Sequence, residues 1–405
     1  MRTPRGKARE GGGLAALSPQ ELVRQQAAAI AARCGDVAAT PDALLLGCVT
    51  QSGAQGGHIA MLAKLHAQLP DTTAAHSINN YCASGLSAIG QAVAKVASGE
   101  ASHILAGGVE SMSASQFLSD RAGFYTNDEL PPRARFVPPV LGADRLAHAE
   151  GITRAELDAV ALASQQKAAA AEGDPVLQAS RIATGALDGE ECIRPQTSAE
   201  SLAAAPAAFA ELQTQYADAL EGATFAPLHS IAHAPPICDG AGLALVGGEG
   251  LDIAPRARVV AFAESGGDPA ASLTAGFAAM DKVLTRAGLT LGDIDRIEFM
   301  EAFAVTIAKF LRDRDPDPAR VNVSGGHLAK GHPMGASGAI LTSTLLDALD
   351  ACGGRYGLVV LTGAMGVGAA MIVERQSALR KSAAALWAAR AGLAPRVIAP
   401  VPERA

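Results

Sequence analysis

The chain has 405 residues, which is too many for one ordinary hydrophobic core, so two or three domains or subdomains are expected. Hydrophobic residues make up 49% and charged residues 18%, which is typical of a globular protein and excludes a disordered one. A net charge of −7 without a basic stripe gives no reason to expect nucleic acid, and no apolar run approaches the ~20 residues that a transmembrane helix needs.

The basic first residues, MRTPRGKAREGGG, lack the apolar stretch of a signal peptide, which predicts a cytoplasmic protein without structural disulfides. Six cysteines are dispersed along the chain and form neither a CxxC pair nor a cluster with histidines: Cys34, Cys48, Cys82, Cys192, Cys238 and Cys352. This spacing predicts no zinc or other metal site.

In chain order, strand-like apolar runs alternate with helical patterns. The segments ALLLGCV, HILAGGV and GLVVLTGAM are typical of buried strands. Apolar residues recur at helical spacing over 86–97 and again over 339–350. This alternation predicts an α/β fold.

The two helical regions begin in the same way. Ala-Ser-Gly at 83–85 opens the first helix, and Ala-Ser-Gly at 336–338 opens the second. Each helix is followed by a glycine break, a strand and a glycine-rich turn. A chance match between Ala- and Gly-rich segments is the alternative, but the repeated order favours a duplicated α/β unit.

A segment of different character separates the halves. It begins with DELPPRARFVPP, continues with the helical TRAELDAVALASQQKAAAA and becomes Ala- and Pro-rich, whereas ICDGAGLALVGG is again strand-like. We therefore predict an N-terminal half (1–117 and 231–255), an inserted loop domain (118–230), a C-terminal half (256–374) and a tail (375–405) that combines a helix with a Pro-rich end.

Cys82 is the first candidate for chemistry because it lies one residue before a predicted helix. The partial positive charge and free N–H groups of a helix start stabilise a thiolate, and the small residues 83–85 would let a substrate carbonyl approach the backbone. Buried inert cysteines are common, so position alone leaves both readings open.

The second candidate is the turn NVSGGHLAKGHPMGASGA, which carries His327 and His332 before the second helix. A phosphate-binding loop is the alternative, but no G-x-x-x-x-G-K-[ST] pattern is present. His332 holds nearly the place in the second half that Cys82 holds in the first, so a pseudo-dyad would bring them to one cleft, where a Cys–His pair generates a nucleophile. His327 is better explained as a structural histidine.

Five segments resemble the thiolase family in order and spacing: NNYCASGLSAIGQA, AGGVESMS, CDGAGLAL, EAFA and GHPMGASGA. The resemblance extends from Arg2 to about Glu374 and includes RTPRGKAR and ASQQKAAAA. It implies an α/β fold with a five-layer αβαβα core of two similar halves. It also implies that the inserted domain binds coenzyme A, that the substrate is an acyl-CoA without a tightly bound cofactor, and that the chain forms a homodimer or homotetramer.

The resemblance also implies roles for single residues. Cys82 would take the acyl group, His332 would activate the thiol, and the N–H groups of Cys82 and of the turn near Gly363 would hold the oxyanion. The coenzyme A contacts would include Pro235, which stands where the family commonly has a serine that contacts pantetheine, and its neighbour Ala234. They would also include Val140, which stands where the family often has a pocket histidine, and its neighbour Leu141.

The chain departs from the family pattern at two catalytic positions. The family's Asn-Glu-Ala-Phe-Ala is Met300-Glu301-Ala-Phe-Ala, and a Met thioether cannot replace the amide that fixes a water for the enolate. An ungapped alignment of GAAMIVE puts Thr362 at the acid/base cysteine, and a hydroxyl is a far weaker acid than a thiol. The family also has a strand before RTP, so either the chain begins late or the first sheet lacks that strand.

These departures leave three hypotheses. The first is an acyltransferase that forms an acyl-thioester on Cys82, with Claisen and thiolysis chemistry impaired, and that passes the acyl group to another acceptor or hydrolyses it. The second is a genuine thiolase on an unusual 3-ketoacyl-CoA, with Glu301, Thr362 or a substrate group transferring protons. The third is a catalytically idle homologue that binds acyl-CoA or supports an assembly.

Overall fold

The computed structural model describes residues 1–376, whose strands form two mixed sheets. The first sheet has the order β1-β5-β4-β2-β3 and contains β1 (Gly6–Lys7), β2 (Ala43–Gly47), β3 (Ala74–Ile78), β4 (His103–Glu110) and β5 (Cys238–Gly247). The second has the order β6-β9-β8-β7 and contains β6 (Ala257–Gly266), β7 (Arg296–Phe299), β8 (Tyr356–Gly363) and β9 (Val367–Arg375). All but the first two residues of the predicted tail lie outside the described residues.

The α-helices of the described residues include both helices that the periodicity predicts, each a few residues longer than expected. In chain order they are α1 (Pro19–Cys34), α2 (Ile59–His66), α3 (Ser84–Ala97), α4 (Pro139–Glu150), α5 (Arg154–Ala171), α6 (Ala199–Ala204), α7 (Ala210–Gln215), α8 (Ala275–Ala287), α9 (Ala304–Arg314), α10 (His327–Lys330) and α11 (Ser337–Cys352). Within residues 1–376, no helix has the length and apolarity that crossing a membrane requires.

Helices and sheets stack in five layers. The central helices α3 and α11 pack against each other and against both sheets, α1 and α2 cover the outer face of the first sheet, and α8 covers the outer face of the second. The predicted αβαβα core is therefore confirmed. The inner strands β2 and β4 are fully buried because helices cover both faces of the first sheet there.

The two halves share one connectivity, as the repeated sequence pattern predicts. Helix α3 leads into β4, which pairs in parallel with β2 and antiparallel with β5. Helix α11 leads into β8, which pairs in parallel with β7 and antiparallel with β9. The residues before β1 lie alongside β5. The amino group of Met1 donates to Leu243 O at 2.7 Å, and Thr3 N–H donates to Ala241 O at 2.9 Å.

The glycines of the two Ala-Ser-Gly segments allow the central helices to approach closely. A Cβ on Gly338 would lie 2.3 Å from Leu86 N, and one on Gly85 would lie 2.6 Å from Gly335 O. Only residues without a side chain fit there. The starts of α3 and α11 therefore meet, which brings the segments before them, with Cys82 and His332, to one place.

The inserted segment contains α4 to α7 joined by long connections. The helix predicted from TRAELDAVALASQQKAAAA is α5, which begins with a capping box at Thr153 and Glu156 and packs against α9 and α10 of the second half. The exact domain boundaries stay a prediction.

Candidate active site

The turn before α3 fixes the position of Cys82. Tyr81 has a left-handed backbone (φ 45°), which is uncommon for a residue with a side chain. Three contacts stabilise this turn: Tyr81 N–H donates to Asn79 Oδ1 at 3.1 Å, the Ser84 hydroxyl donates to Tyr81 O at 2.5 Å, and Asn80 N–H donates to Ser84 Oγ at 2.8 Å. The thiol is thereby held at the start of a helix, as the sequence predicts.

Cys82 and His332 are in direct contact. His332 Nε2 lies 3.2 Å from Cys82 Sγ, and His332 Nδ1 lies 2.7 Å from Ser337 Oγ. With Nδ1–H donating to Ser337, the lone pair of Nε2 is directed at the thiol, so the imidazole can act as its base. His332 N–H donates to Pro236 O at 2.9 Å, which fixes the backbone of the histidine.

The Cys–His pair is neutral at rest. Burial raises the pKa of the Cys82 thiol to about 11, although the N–H groups of Ala364 and of Cys82 itself favour the thiolate. Burial, followed by the charge of Arg5, lowers the pKa of His332 to about 4. The proton therefore stays on sulfur at neutral pH, and a reaction in which the sulfur acts as a nucleophile would have to pass it to Nε2.

The same two N–H groups form an anion-binding corner at the thiol. The N–H of Ala364 follows Gly363 in the glycine-rich turn, and the N–H of Cys82 lies at the helix start. They match the donors that the sequence predicts near Gly363 for an oxyanion. Their catalytic role stays a prediction.

Gly363 faces the thiol, whereas Thr362 points the other way. A Cβ on Gly363 would lie 3.1 Å from Cys82 Cβ and 3.3 Å from its Sγ. Because successive residues of β8 alternate between its faces, Thr362 turns towards Gly276 of α8, where a Cβ on the glycine would lie 3.0 Å from Thr362 Cβ. Its buried hydroxyl has no partner among the described residues. The structure thus separates Thr362 from the Cys82–His332 pair.

Comparison with known proteins identifies the family. Residues 1–247 match the model of the thiolase N-terminal domain, and residues 253–375 match that of the thiolase C-terminal domain. The chain belongs to the thiolase family. As the family's acyltransferase relatives indicate, it is an acyltransferase.

Its thiolase relatives cover nearly the whole chain. A β-ketoadipyl-CoA thiolase of Pseudomonas knackmussii is 33% identical, covering 93% of this chain and 97% of its own. An acetyl-CoA acetyltransferase of Shinella zoogloeoides is 33% identical, covering 90% and 95%. Human mitochondrial 3-ketoacyl-CoA thiolase has a TM-score of 0.81 at 29% identity, covering 93% and 97%, and its complex with CoA has a TM-score of 0.79 at 29% identity, covering 93% and 96%.

Met300, which the sequence predicts to be a departure from the thiolase pattern, and Glu301 follow β7. Met300 is fully buried in the main hydrophobic core, and its N–H donates to Val360 O at 2.9 Å. Glu301 is also buried, and its two oxygens accept hydrogen bonds from Ser164 Oγ at 2.7 Å, Leu328 N–H at 2.9 Å and Asn322 Nδ2 at 3.0 Å. These contacts tie Glu301 to the loop that leads to His332, and its role in proton transfer stays a prediction.

His327 and Glu110 are two buried residues near the reactive pair. The buried ring of His327 lies 5.0 Å from that of His332 between centroids, and burial lowers its pKa well below the usual range. Glu110, which the sequence reasoning missed although it lies within AGGVESMS, accepts N–H bonds from Val49, Thr50 and Gly335. These hydrogen bonds join the first half to the turn after His332. A glutamate at the end of a strand carries no sequence signal for such a role.

The four residues predicted to contact coenzyme A fall into two environments. Ala234 and Pro235 are half-buried and lead into Pro236 and Ile237, which run beside His332. Ile237 was not predicted, yet its side chain is 54% exposed next to the reactive histidine. Val140 and Leu141 are buried, and their contact with coenzyme A, like that of Ala234 and Pro235, stays a prediction.

Proposed function

We propose that this thiolase-family acyltransferase accepts an acyl group from acyl-CoA on Cys82 and is impaired in Claisen condensation and thiolysis. The observation that carries the proposal is the 3.2 Å contact between Cys82 Sγ and His332 Nε2, on a thiol that no second thiol or imidazole contacts among the described residues. The site thus has the groups for acyl transfer and lacks a second acid/base beside the sulfur.

The acyl-transfer step needs only groups that lie at the thiol. Cys82 Sγ attacks the thioester carbonyl while its proton passes to His332 Nε2, and the oxyanion forms beside the N–H groups of Cys82 and Ala364. As the carbonyl re-forms, the bond to the coenzyme A sulfur breaks, and the imidazolium returns the proton to that sulfur. The products are acyl-Cys82 and free coenzyme A.

Carbanion chemistry requires a second group that moves a proton at the α-carbon. Thr362 turns away from Cys82, and Gly363, which faces it, has no side chain. Met300 supplies no amide for a water at the enolate oxygen. Since each such group commonly contributes a factor of ~10²–10⁴, condensation and thiolysis are expected to be severely reduced.

Coenzyme A binding and self-association complete the proposal. The likeness to a thiolase solved with CoA supports a coenzyme A site on the inserted domain, next to the 234–237 segment.

A homodimer or homotetramer is supported by the exposed edge strand β3 and by exposed apolar side chains on α2, namely Met61, Leu62 and Leu65. Light scattering at several concentrations tests this, and a monomer throughout would refute it. A cytoplasmic location stays a prediction.

The decisive experiment separates loading from carbon–carbon chemistry. Purified protein is incubated with a panel of acyl-CoAs and its intact mass is measured, with the Cys82→Ala variant as control. The panel includes dicarboxylic acyl groups because the named relatives include β-ketoadipyl-CoA thiolases. An adduct on the wild type that is absent from Cys82→Ala supports the enzyme, and the lack of any adduct favours the idle homologue.

Product analysis with a second CoA ester then distinguishes transfer from condensation. We expect acyl exchange or hydrolysis without appreciable 3-ketoacyl-CoA. Formation of acetoacetyl-CoA from acetyl-CoA at a rate comparable to acyl loading would instead establish a genuine thiolase, and would show that Glu301 or a substrate group replaces the missing acid/base.

A further inference from the structure

A second buried histidine, outside the reactive pair, is held by a carboxylate. His229 Nδ1 lies 2.6 Å from Asp144 Oδ1, and both side chains have 0% exposure. The same oxygen accepts the N–H groups of Leu228 and His229, each at 3.0 Å. Three donors thus converge on this one oxygen, which fixes the ring of His229 and assigns the Nδ1 position to a proton donor.

Within residues 1–376, this arrangement leaves one polar atom of each side chain without a hydrogen bond. Neither His229 Nε2 nor Asp144 Oδ2 has a hydrogen-bond partner among the described residues. A buried polar atom without a partner costs free energy, so such atoms require an explanation. The neighbouring His233 differs: its Nε2 lies 2.7 Å from Asp158 Oδ1, and its Nδ1 accepts Ser230 N–H at 3.0 Å.

His229 touches the active-site loop through Phe303. The two rings are perpendicular (89°), with centroids 6.0 Å apart. Phe303 has φ 83° and ψ 154°, a region that is essentially restricted to glycine and therefore strained for a phenylalanine. Strain of this kind persists where the surroundings impose it and is concentrated at functional sites.

The register of the second sheet places Phe303 at the same edge as the thiol. Phe299 of β7 pairs with Val360 of β8, so the residues that follow each strand emerge together. Three residues after Val360, Gly363 touches Cys82, and four residues after Phe299, Phe303 touches His229. The half-buried Phe303 therefore follows the strand next to the one that leads to Gly363, and its ring contacts the unpaired imidazole.

We propose that His229 is a specificity-determining residue that binds a carboxylate at the far end of a dicarboxylic acyl group, with the Phe303 ring moving aside from its strained conformation. The inference rests on the proposed acyl loading of Cys82. The carboxyl group of the ligand binds together with one proton shared between it and Nε2, a charge-assisted hydrogen bond that Asp144 on the opposite ring nitrogen supports. A methyl end of the same length offers Nε2 no partner.

The test compares acyl-CoAs matched in chain length: succinyl with butyryl, glutaryl with valeryl, and adipyl with hexanoyl. The rate of adduct formation on Cys82 is followed by intact mass at subsaturating donor. We expect at least one dicarboxylic donor to load about 10-fold or more faster than its partner, the effect of one charge-assisted hydrogen bond. In His229→Gln that ratio should fall to about one.

Controls separate the inference from folding and from the proposed function. His148→Gln removes an exposed histidine from the same helix α4 as Asp144 and should keep the wild-type ratio. The comparison of matched donors on the wild-type protein tests the inference without any variant. The inference therefore remains testable even if His229→Gln fails to fold. Adducts without a carboxylate preference at any length would overturn the inference and leave acyl loading standing.

Three further outcomes are informative. A preference for 4-hydroxybutyryl-CoA over both succinyl- and butyryl-CoA would overturn the carboxylate assignment, because the pocket would then bind a hydroxyl. No adduct from any donor would overturn both the inference and the proposed loading. A carboxylate preference that survives in His229→Gln would assign the recognition to another residue and refute the role of His229.

Discussion

Gly363 lies so close to Cys82 that a β-carbon on the glycine would stand 3.1 Å from the cysteine's own Cβ and 3.0 Å from Val367 Cγ2. These distances are shorter than ordinary van der Waals contact, so this side of the thiol has no room for the side chain of an acid/base unless neighbours move. The close approach lets the N–H of Ala364 reach the sulfur. Position 363 can therefore carry either a glycine that brings the N–H of Ala364 to the sulfur or a residue with a reactive side chain, but not both.

Gly363→Ala tests how far acyl loading depends on this contact. The added methyl must push Cys82 or Val367 away, and overpacking of ~1–3 kcal/mol is expected to slow loading by about 10-fold or more. Intact-mass kinetics give the rate. Gly173→Ala is the matched control, because nothing lies within 4 Å of a Cβ there. Loading at the wild-type rate in Gly363→Ala would mean that the turn adapts freely.

The raised pKa of Cys82 predicts a simple pH dependence of alkylation. Burial disfavours the thiolate, so its population grows only as pH rises towards the folded pKa of about 11. Alkylation by iodoacetamide should increase about tenfold per pH unit between about pH 7 and pH 10. The pKa of about 4 for His332 means that no thiolate–imidazolium pair forms near neutrality.

Peptide mapping assigns the alkylation rate to Cys82, and the exposed Cys352 serves as an internal reference in the same sample. Cys352 should react faster than Cys82 at neutral pH, because its thiol is exposed to the reagent. A plateau in the Cys82 rate through neutral pH would contradict the neutral pair and indicate a pre-formed thiolate.

The sequence predicted the parts of this site that local pattern determines. Cys82 at a helix start and His332 at the equivalent place of the second half follow from the repeated Ala-Ser-Gly segments. The side-chain direction of Thr362 did not follow, because an ungapped alignment cannot show which face of β8 a residue occupies or how the glycine turn is accommodated. His229 and Asp144 escaped notice because 85 residues separate them and only the tertiary fold joins them.

Ser337→Ala should separate positioning of His332 from its chemistry. The hydroxyl that lies 2.7 Å from His332 Nδ1 fixes the tautomer, and one hydrogen bond of this kind is worth ~0.5–1.5 kcal/mol. Loading on Cys82 should therefore slow by about 2- to 13-fold, whereas His332→Asn should slow it by ~10²–10⁴-fold. Ser343→Ala on the same helix is the control. Equal losses in the Ser337 and His332 variants would assign Ser337 a direct role.

Glu301→Gln distinguishes a structural glutamate from a proton-transferring one. The buried carboxylate accepts from Ser164 Oγ, Leu328 N–H and Asn322 Nδ2, and an amide group must point its NH₂ at one of these donors. We expect a loss of about 1–3 kcal/mol in the free energy of unfolding, measured by urea denaturation. Ser164→Ala, which removes one donor to the carboxylate, should cost less. If Glu301→Gln keeps wild-type stability but abolishes a residual condensation rate, Glu301 transfers protons; if stability and acyl loading fall together, it supports the loop that carries His332.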